Sequence, residues 1–197
     1  TAREAVMLGR SLLMAANPAV AVGGYDADAQ DYINRVIAAD VAAGNNDGLE
    51  VAVQNAINDL FVGCKADSNF TALKASCILA SARTRPGALV PVVGTAPTNV
   101  GFVDGDYDRK TGLKGVGTSS KFLDSNRAAN ADPIGSCHAS VYITTADPRD
   151  AAQGHIGSGT ASGHYCLNSS STARFTALRS TTTTYTITGK ATGFYGL

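Results

Sequence analysis

The chain has 197 residues, and its 16 Lys+Arg balance 16 Asp+Glu, so the formal net charge is zero. That balance excludes a wrapper of nucleic acid, which would carry a basic excess. No run approaches the roughly 18 apolar residues of a membrane span, and Pro18 interrupts the longest candidate, which continues through Val20 to Gly24. Charged residues are only 16% of the chain while hydrophobic ones are 44%, which supplies a core and leaves much of the solvation to Gly (21) and the Ser/Thr hydroxyls. Thr1 stands where an initiator Met would, which implies a processed or incomplete N-terminus, so targeting is not read from that end.

The zero charge is a sum of unlike parts. From Thr1 to Ala80 there are five basic and nine acidic residues, and from Ser81 to Leu197 eleven and seven. The first part is Ala-rich with helical spacing; the second is rich in Gly, Thr and Ser with strand-like pieces. The composition therefore divides the chain into an N-terminal arm (1–25), a helical segment (26–85) and a β region (86–197). The expected class is α+β: about three helices, then an antiparallel β-sandwich.

After Asp26, residues Ala29, Tyr32, Ile33, Val36 and Ile37 recur at three and four, a helix that ends near Gly44. Asp47, with Glu50 three positions on, reads as a capping box opening a second helix. Its stripe is Leu49, Val53, Ala56, Ile57, Leu60 and Phe61, with Gly63 placed as a C′ glycine. A third helix is expected from Asp67 or Ser68, with Phe70, Leu73, Cys77 and Ile78 inward, stopping before Pro86. Beyond it, Ala88–Val93 and Phe102–Val103 are strand-like, and Asp104-Gly105-Asp106 signals a tight turn. Further strands are expected at 121–123, 139–144, 165–167, 174–178 and 182–188. In the last of these, alternation puts Tyr185 and Ile187 on one face and threonines on the other.

Chemistry-bearing residues are sparse. Asp104, Asp106 and Asp108 are carboxylates at alternate positions, as in loops that bind calcium. Arg109 and Gly115 occupy the places where an EF-hand needs Gly and Glu. The preferred reading is a solvated turn whose Asp residues pair with Arg109 and Lys110. Cys137, His138, His155, His164 and Cys166 are soft metal ligands at spacings that poorly match a zinc site. They read as thiols and surface imidazoles, and all four cysteines, with Cys64 and Cys77, read as unpaired. No G-x-S-x-G elbow is present, and no cofactor is called for. Glutamate occurs only at Glu4 and Glu50, outside the β region, which disfavours paired acids for glycoside hydrolysis.

The phrases Gly63-Cys64-Lys65-Ala66-Asp67, Lys74-Ala75-Ser76-Cys77-Ile78-Leu79-Ala80, Gly87-Ala88-Leu89-Val90-Pro91 and Ala96-Pro97-Thr98-Asn99 carry a resemblance that continues through Gly105–Leu113 and Lys121–Arg127. Over roughly residues 47–145 the chain resembles tail-fibre and other virion structural proteins of tailed bacteriophages, with a LamG/concanavalin-like jelly roll after a short helical segment. The resemblance implies a non-enzymatic virion protein at the tail or capsid surface. Its partners would be other virion proteins and sister chains, a trimer by analogy, with host-surface polysaccharide as ligand and neither nucleic acid nor membrane insertion. The alternatives are a capsid-decorating protein without ligand and a glycan-degrading enzyme. Shallow glycan sites use aromatic platforms amid polar loops, for which Tyr107, Tyr142, Tyr165 and Tyr185 are candidates. Only about 110 residues follow Pro86, fewer than a concanavalin-type sandwich uses, so the expected sandwich is shortened or completed by neighbouring subunits.

Overall fold

The computed structural model describes residues 24–115, 120–128, 131 and 138–145, together with the backbone of five later strands between 153 and 196. The fold is α+β, and every strand pairing described is antiparallel. Two compact units meet in sequence after Asn126. The first contains residues on both sides of Pro86, because the segment after it packs on the helices rather than starting a separate body.

Helix α1 (Ala27–Ala42) starts as expected: the Asp26 carboxylate accepts from the Asp28 and Ala29 amides at 3.0 and 3.4 Å. Lys65, in the last turn of helix α2 (Val51–Ala66), reaches back to both Asp26 oxygens at 2.6 and 2.8 Å, tying the start of one helix to the end of the other. The predicted stripe of α1 is the core: Ala29, Tyr32, Ile33 and Val36 are buried against Leu49, Ile57 and Phe61. The Tyr32 and Phe61 rings lie 5.8 Å apart, and Phe70 extends the cluster at 5.3 Å from Phe61.

Three expectations are corrected here. Helix α2 starts at Val51, not at Asp47; its cap residue is Glu50, whose side chain makes no capping bond because two arginines hold it. Gly63 lies inside α2, which continues to Ala66. The third helix from 67 to 85 does not form. Ser68 and Ser81 take left-handed φ of 59° and 74°, and the chain between them makes a 3-10 turn (Phe70–Ala72) and strand β1 (Ser76–Cys77). Strand β1 pairs with β2 (Pro91–Val93), so tertiary pairing overrides the local helical spacing. A one-turn helix α3 (Arg85–Ala88) then spans Pro86, where a helix end was expected.

Strand β3 (Thr98–Val100) pairs with β6 (Phe122–Asp124), and β4 (Tyr107–Asp108) with β5 (Gly112–Leu113). Phe102 and Val103 are not a strand: the Asn99 side chain bonds the Phe102 carbonyl and amide, at 2.8 and 3.1 Å, and turns the chain there. In the second unit, β8 (Gln153–Gly157), β9 (Tyr165–Ser169), β10 (Ala173–Leu178) and β11 (Tyr185–Thr188) form a meander in the order β11-β10-β9-β8. Strand β7 (Ser140–Ile143) pairs with β12 (Gly193–Gly196). Strands β8 and β12 had no counterpart in the sequence reading, their glycines masking the pattern.

Candidate functional site

The polar groups of the first unit converge on one short segment, Ser81–Thr84. Asp40, on the buried stripe of α1, has no exposed surface. Its Oδ2 accepts from the Arg83 amide at 2.9 Å, and its Oδ1 from the Thr84 amide at 2.9 Å and the Thr84 hydroxyl at 2.6 Å. The same hydroxyl oxygen accepts from the Gly87 amide at 3.2 Å, capping α3. Gly87 must lack a side chain, because a Cβ there would stand 2.8 Å from the Asp40 carboxyl carbon.

Two arginines close the segment from the other side. Arg109 donates through both terminal nitrogens to the Glu50 carboxylate, at 2.7 and 2.6 Å, and also to the Ser81 carbonyl at 3.0 Å. Arg83 bonds the Gly48 carbonyl at 2.6 Å and sits 2.9 Å from Glu50. The paired guanidinium of Arg109 holds the Glu50 carboxyl far below its ordinary range, at about 2. A carboxyl so held does not deliver a proton near neutral pH. Tyr107 donates to the Ala82 carbonyl at 2.8 Å, and burial pushes its phenol up to about 12. Tyr107 is thus a strut between strand β4 and this segment, not an open platform for a sugar.

The three carboxylates proposed for calcium are brought close in sequence but engaged separately. Asp104 meets Arg85 at 2.9 Å, Asp106 meets Lys121 at 2.7 Å and the Val103 amide at 2.8 Å, and Asp108 accepts from the Lys110 and Thr111 amides at 2.9 Å. The hydrogen bond from Lys121 lowers the Asp106 carboxyl, and the turn amides lower Asp108. Their expected partners are corrected: Arg109 serves Glu50, and Lys110 contributes its backbone amide. Among the described residues no group of three His, Cys, Asp or Glu is placed to hold a metal. Cys64 and Cys77 are free thiols, and burial pushes Cys77 up to about 11, which keeps it protonated and unreactive. His138 is exposed. Cys137 and His164 lie outside the described residues, as do the side chains of His155, Tyr165, Cys166 and Tyr185.

Tyr142 is the one aromatic glycan candidate whose described side chain faces solvent, at 55% exposed, while the next residue, Ile143, is buried. Alternation along β7 thus assigns one wet and one packed face, and register places Phe194 of β12 directly opposite Tyr142. Sequence reading missed the Asp40 cluster altogether. The available signal was a carboxyl in phase with the apolar stripe, four residues after Val36, and Thr84 followed by Pro86 as a helix-start pair. No family model, no curated protein and no solved structure matches this chain.

Proposed function

We propose that this chain is a non-enzymatic structural protein of a tailed-phage particle, with its helical unit for assembly and its β unit, a shortened jelly-roll sandwich, for attachment to host-surface glycan. The observation that carries the reading is the outward face of strand β7, where Tyr142 stands exposed beside Ser140, with β12 paired alongside in the register Phe194 to Tyr142. An exposed aromatic ring flanked by a hydroxyl, with a glycine opposite that hydroxyl in register (Gly196 to Ser140), suits stacking on the C–H face of a sugar. The polar network of the first unit supports the same reading, since its carboxylates are committed to arginines and amides that hold the fold. Sister chains, in a trimer by analogy, and other virion proteins would be its partners.

The test is binding of the full chain to a panel of immobilised bacterial polysaccharides, with reducing sugar measured in parallel. Binding to at least one polysaccharide, weakened tenfold or more by Tyr142→Ala without released sugar, is the expected result. Release of sugar would move the chain to the glycan-degrading class. Absence of binding across the panel would favour a particle-decorating protein without ligand.

A further inference from the structure

The connection between α1 and α2 carries a dipeptide that can react with itself. Helix α1 closes on Gly44, at a left-handed φ of 89°, in a Schellman arrangement. The Gly44 amide bonds the Val41 carbonyl and the Asn45 amide bonds the Asp40 carbonyl, each at 2.9 Å. The Asn45 side-chain oxygen then accepts from the Asp47 amide at 3.1 Å, and Arg83 holds the Gly48 carbonyl at 2.6 Å. Between these anchors the peptide group joining Asp47 to Gly48 is itself unbonded. Neither the Asp47 carbonyl nor the Gly48 amide has a hydrogen-bond partner among the described residues. Asp47 is exposed, and its carboxyl meets only the Asn45 side-chain nitrogen, at a marginal 3.5 Å. Gly48 is buried and takes a left-handed φ of 67°, a conformation that glycine adopts without strain.

In an Asp-Gly pair the glycine amide nitrogen can close a five-membered ring on the aspartate side-chain carbon, and no Cβ crowds the attacking nitrogen. The sequence holds two such pairs, Asp47-Gly48 and Asp104-Gly105. The second is fastened. It lies in the 3-10 turn Asp104–Asp106, where the Asp106 amide bonds the Val103 carbonyl at 3.0 Å and the Tyr107 amide bonds the Asp104 carbonyl. Arg85 also holds an Asp104 carboxyl oxygen at 2.9 Å. Turning that peptide toward closure breaks backbone bonds and an ion pair, whereas turning the Asp47–Gly48 group breaks none of its own. Gly105 is the more exposed glycine, so exposure and bonding favour different pairs. Bonding decides, because closure within one dipeptide brings in no reagent from solvent.

We propose that Asp47 is a site of spontaneous isoaspartate formation in the folded chain, and that Asp104 is protected from it. The bond from Gly48 N to Asp47 Cγ forms, a Cγ–O bond breaks, and water leaves with the amide proton. Water then reopens the ring. Addition at Cγ restores aspartate; addition at the backbone carbonyl carbon leaves the chain running through Cγ, with a free α-carboxyl and unchanged mass. The backbone is thereby one carbon longer just before the carbonyl that Arg83 holds and the buried Leu49. This inference does not depend on the phage reading.

The test ages the full chain, folded and in urea, and follows isoaspartate at both pairs. Peptide chromatography and methyl transfer by a carboxyl methyltransferase that recognises isoaspartate supply the readout. At each pair the folded rate is divided by the rate in urea, which cancels the effect of flanking sequence. The expected ratio for Asp47 is at least tenfold that for Asp104, and Asp47→Ser removes the signal assigned to Asp47. Equal ratios at the two pairs would overturn the proposal. So would conversion of Asp47 confined to urea, or a signal that persists in the Asp47→Ser chain.

Discussion

Replacing Asp40 by Asn changes one atom in a site with no room to adapt, and so isolates the hydrogen bonds from the packing. With the amide oxygen left at the Oδ1 position, the two Thr84 donors keep their acceptor. The new NH₂ then faces the Arg83 amide, which loses its acceptor in a part-buried place beside the fully buried Asp40 side chain. With the amide turned round, two donors are opposed instead of one. Leaving one buried N–H unpaired costs about 1–3 kcal/mol, and the opposed donors add to this, so the expected loss is about 2–3 kcal/mol. For a unit of this size that lowers the melting temperature by roughly 10–20 °C. Urea unfolding followed by the helical circular dichroism signal measures it, with an unchanged m value showing that the same surface is exposed. Thr84→Val removes the hydroxyl bond and the α3 cap, and together the two changes cost less than their sum because they share a bond. A loss below about 0.5 kcal/mol for Asp40→Asn would refute the claim that this carboxyl organises the segment.

Glu50 has its carboxyl lowered from 4.5 to about 2 by Arg109, so the pair contributes stability in full above pH 4.5 and loses it as pH falls toward 2. The shift alone sets a ceiling of about 3 kcal/mol, which solvent screening of a side chain 43% exposed reduces to about 1 kcal/mol. Glu50→Gln is accordingly less stable than the parent at pH 6 by about that amount, and the gap closes at pH 2; a gap independent of pH contradicts the assignment. Gly87→Ala puts a methyl group against the Asp40 carboxyl and costs about 1–3 kcal/mol in the parent chain. The same change in an Asp40→Ala background costs less, because the methyl then has space, and equal costs in both backgrounds would show that the contact is relieved elsewhere.

Periodicity made α1 legible down to its cap because its instructions are local: Asp26 before the helix, and an apolar residue at every inward position as far as Val36. It failed over 67–85 because the inward spacing of Phe70 and Ile78 arises there from packing on Phe61 and the core, reached through a turn and a strand rather than a helix. The left-handed conformations at Ser68 and Ser81 leave no signature that glycine would have supplied. The β-branched stretch Tyr185–Thr188 announced its strand, whereas the Gly-rich β8 and β12 carry too few side chains to alternate. Partner choice was the least legible feature. Arg109 is next to Asp108 in sequence, yet it serves Glu50 across 59 residues because the β4–β5 hairpin aims it there.

The convergence on Ser81–Thr84 has a consequence for dissecting this protein. A fusion that cuts at Pro86, where composition changes most sharply, would keep Asp40 with Arg83 and Thr84. It would lose Gly87, Tyr107 and Arg109, and with them the end of the cap, the strut and the stronger partner of Glu50. The helices so isolated would carry a buried carboxyl on a loose loop and would serve poorly as a transplantable docking module. A cut after Asn126 leaves every one of these partners on the same polypeptide, so the smallest piece worth transplanting is set by three points of support rather than by the shift from alanine to glycine and threonine.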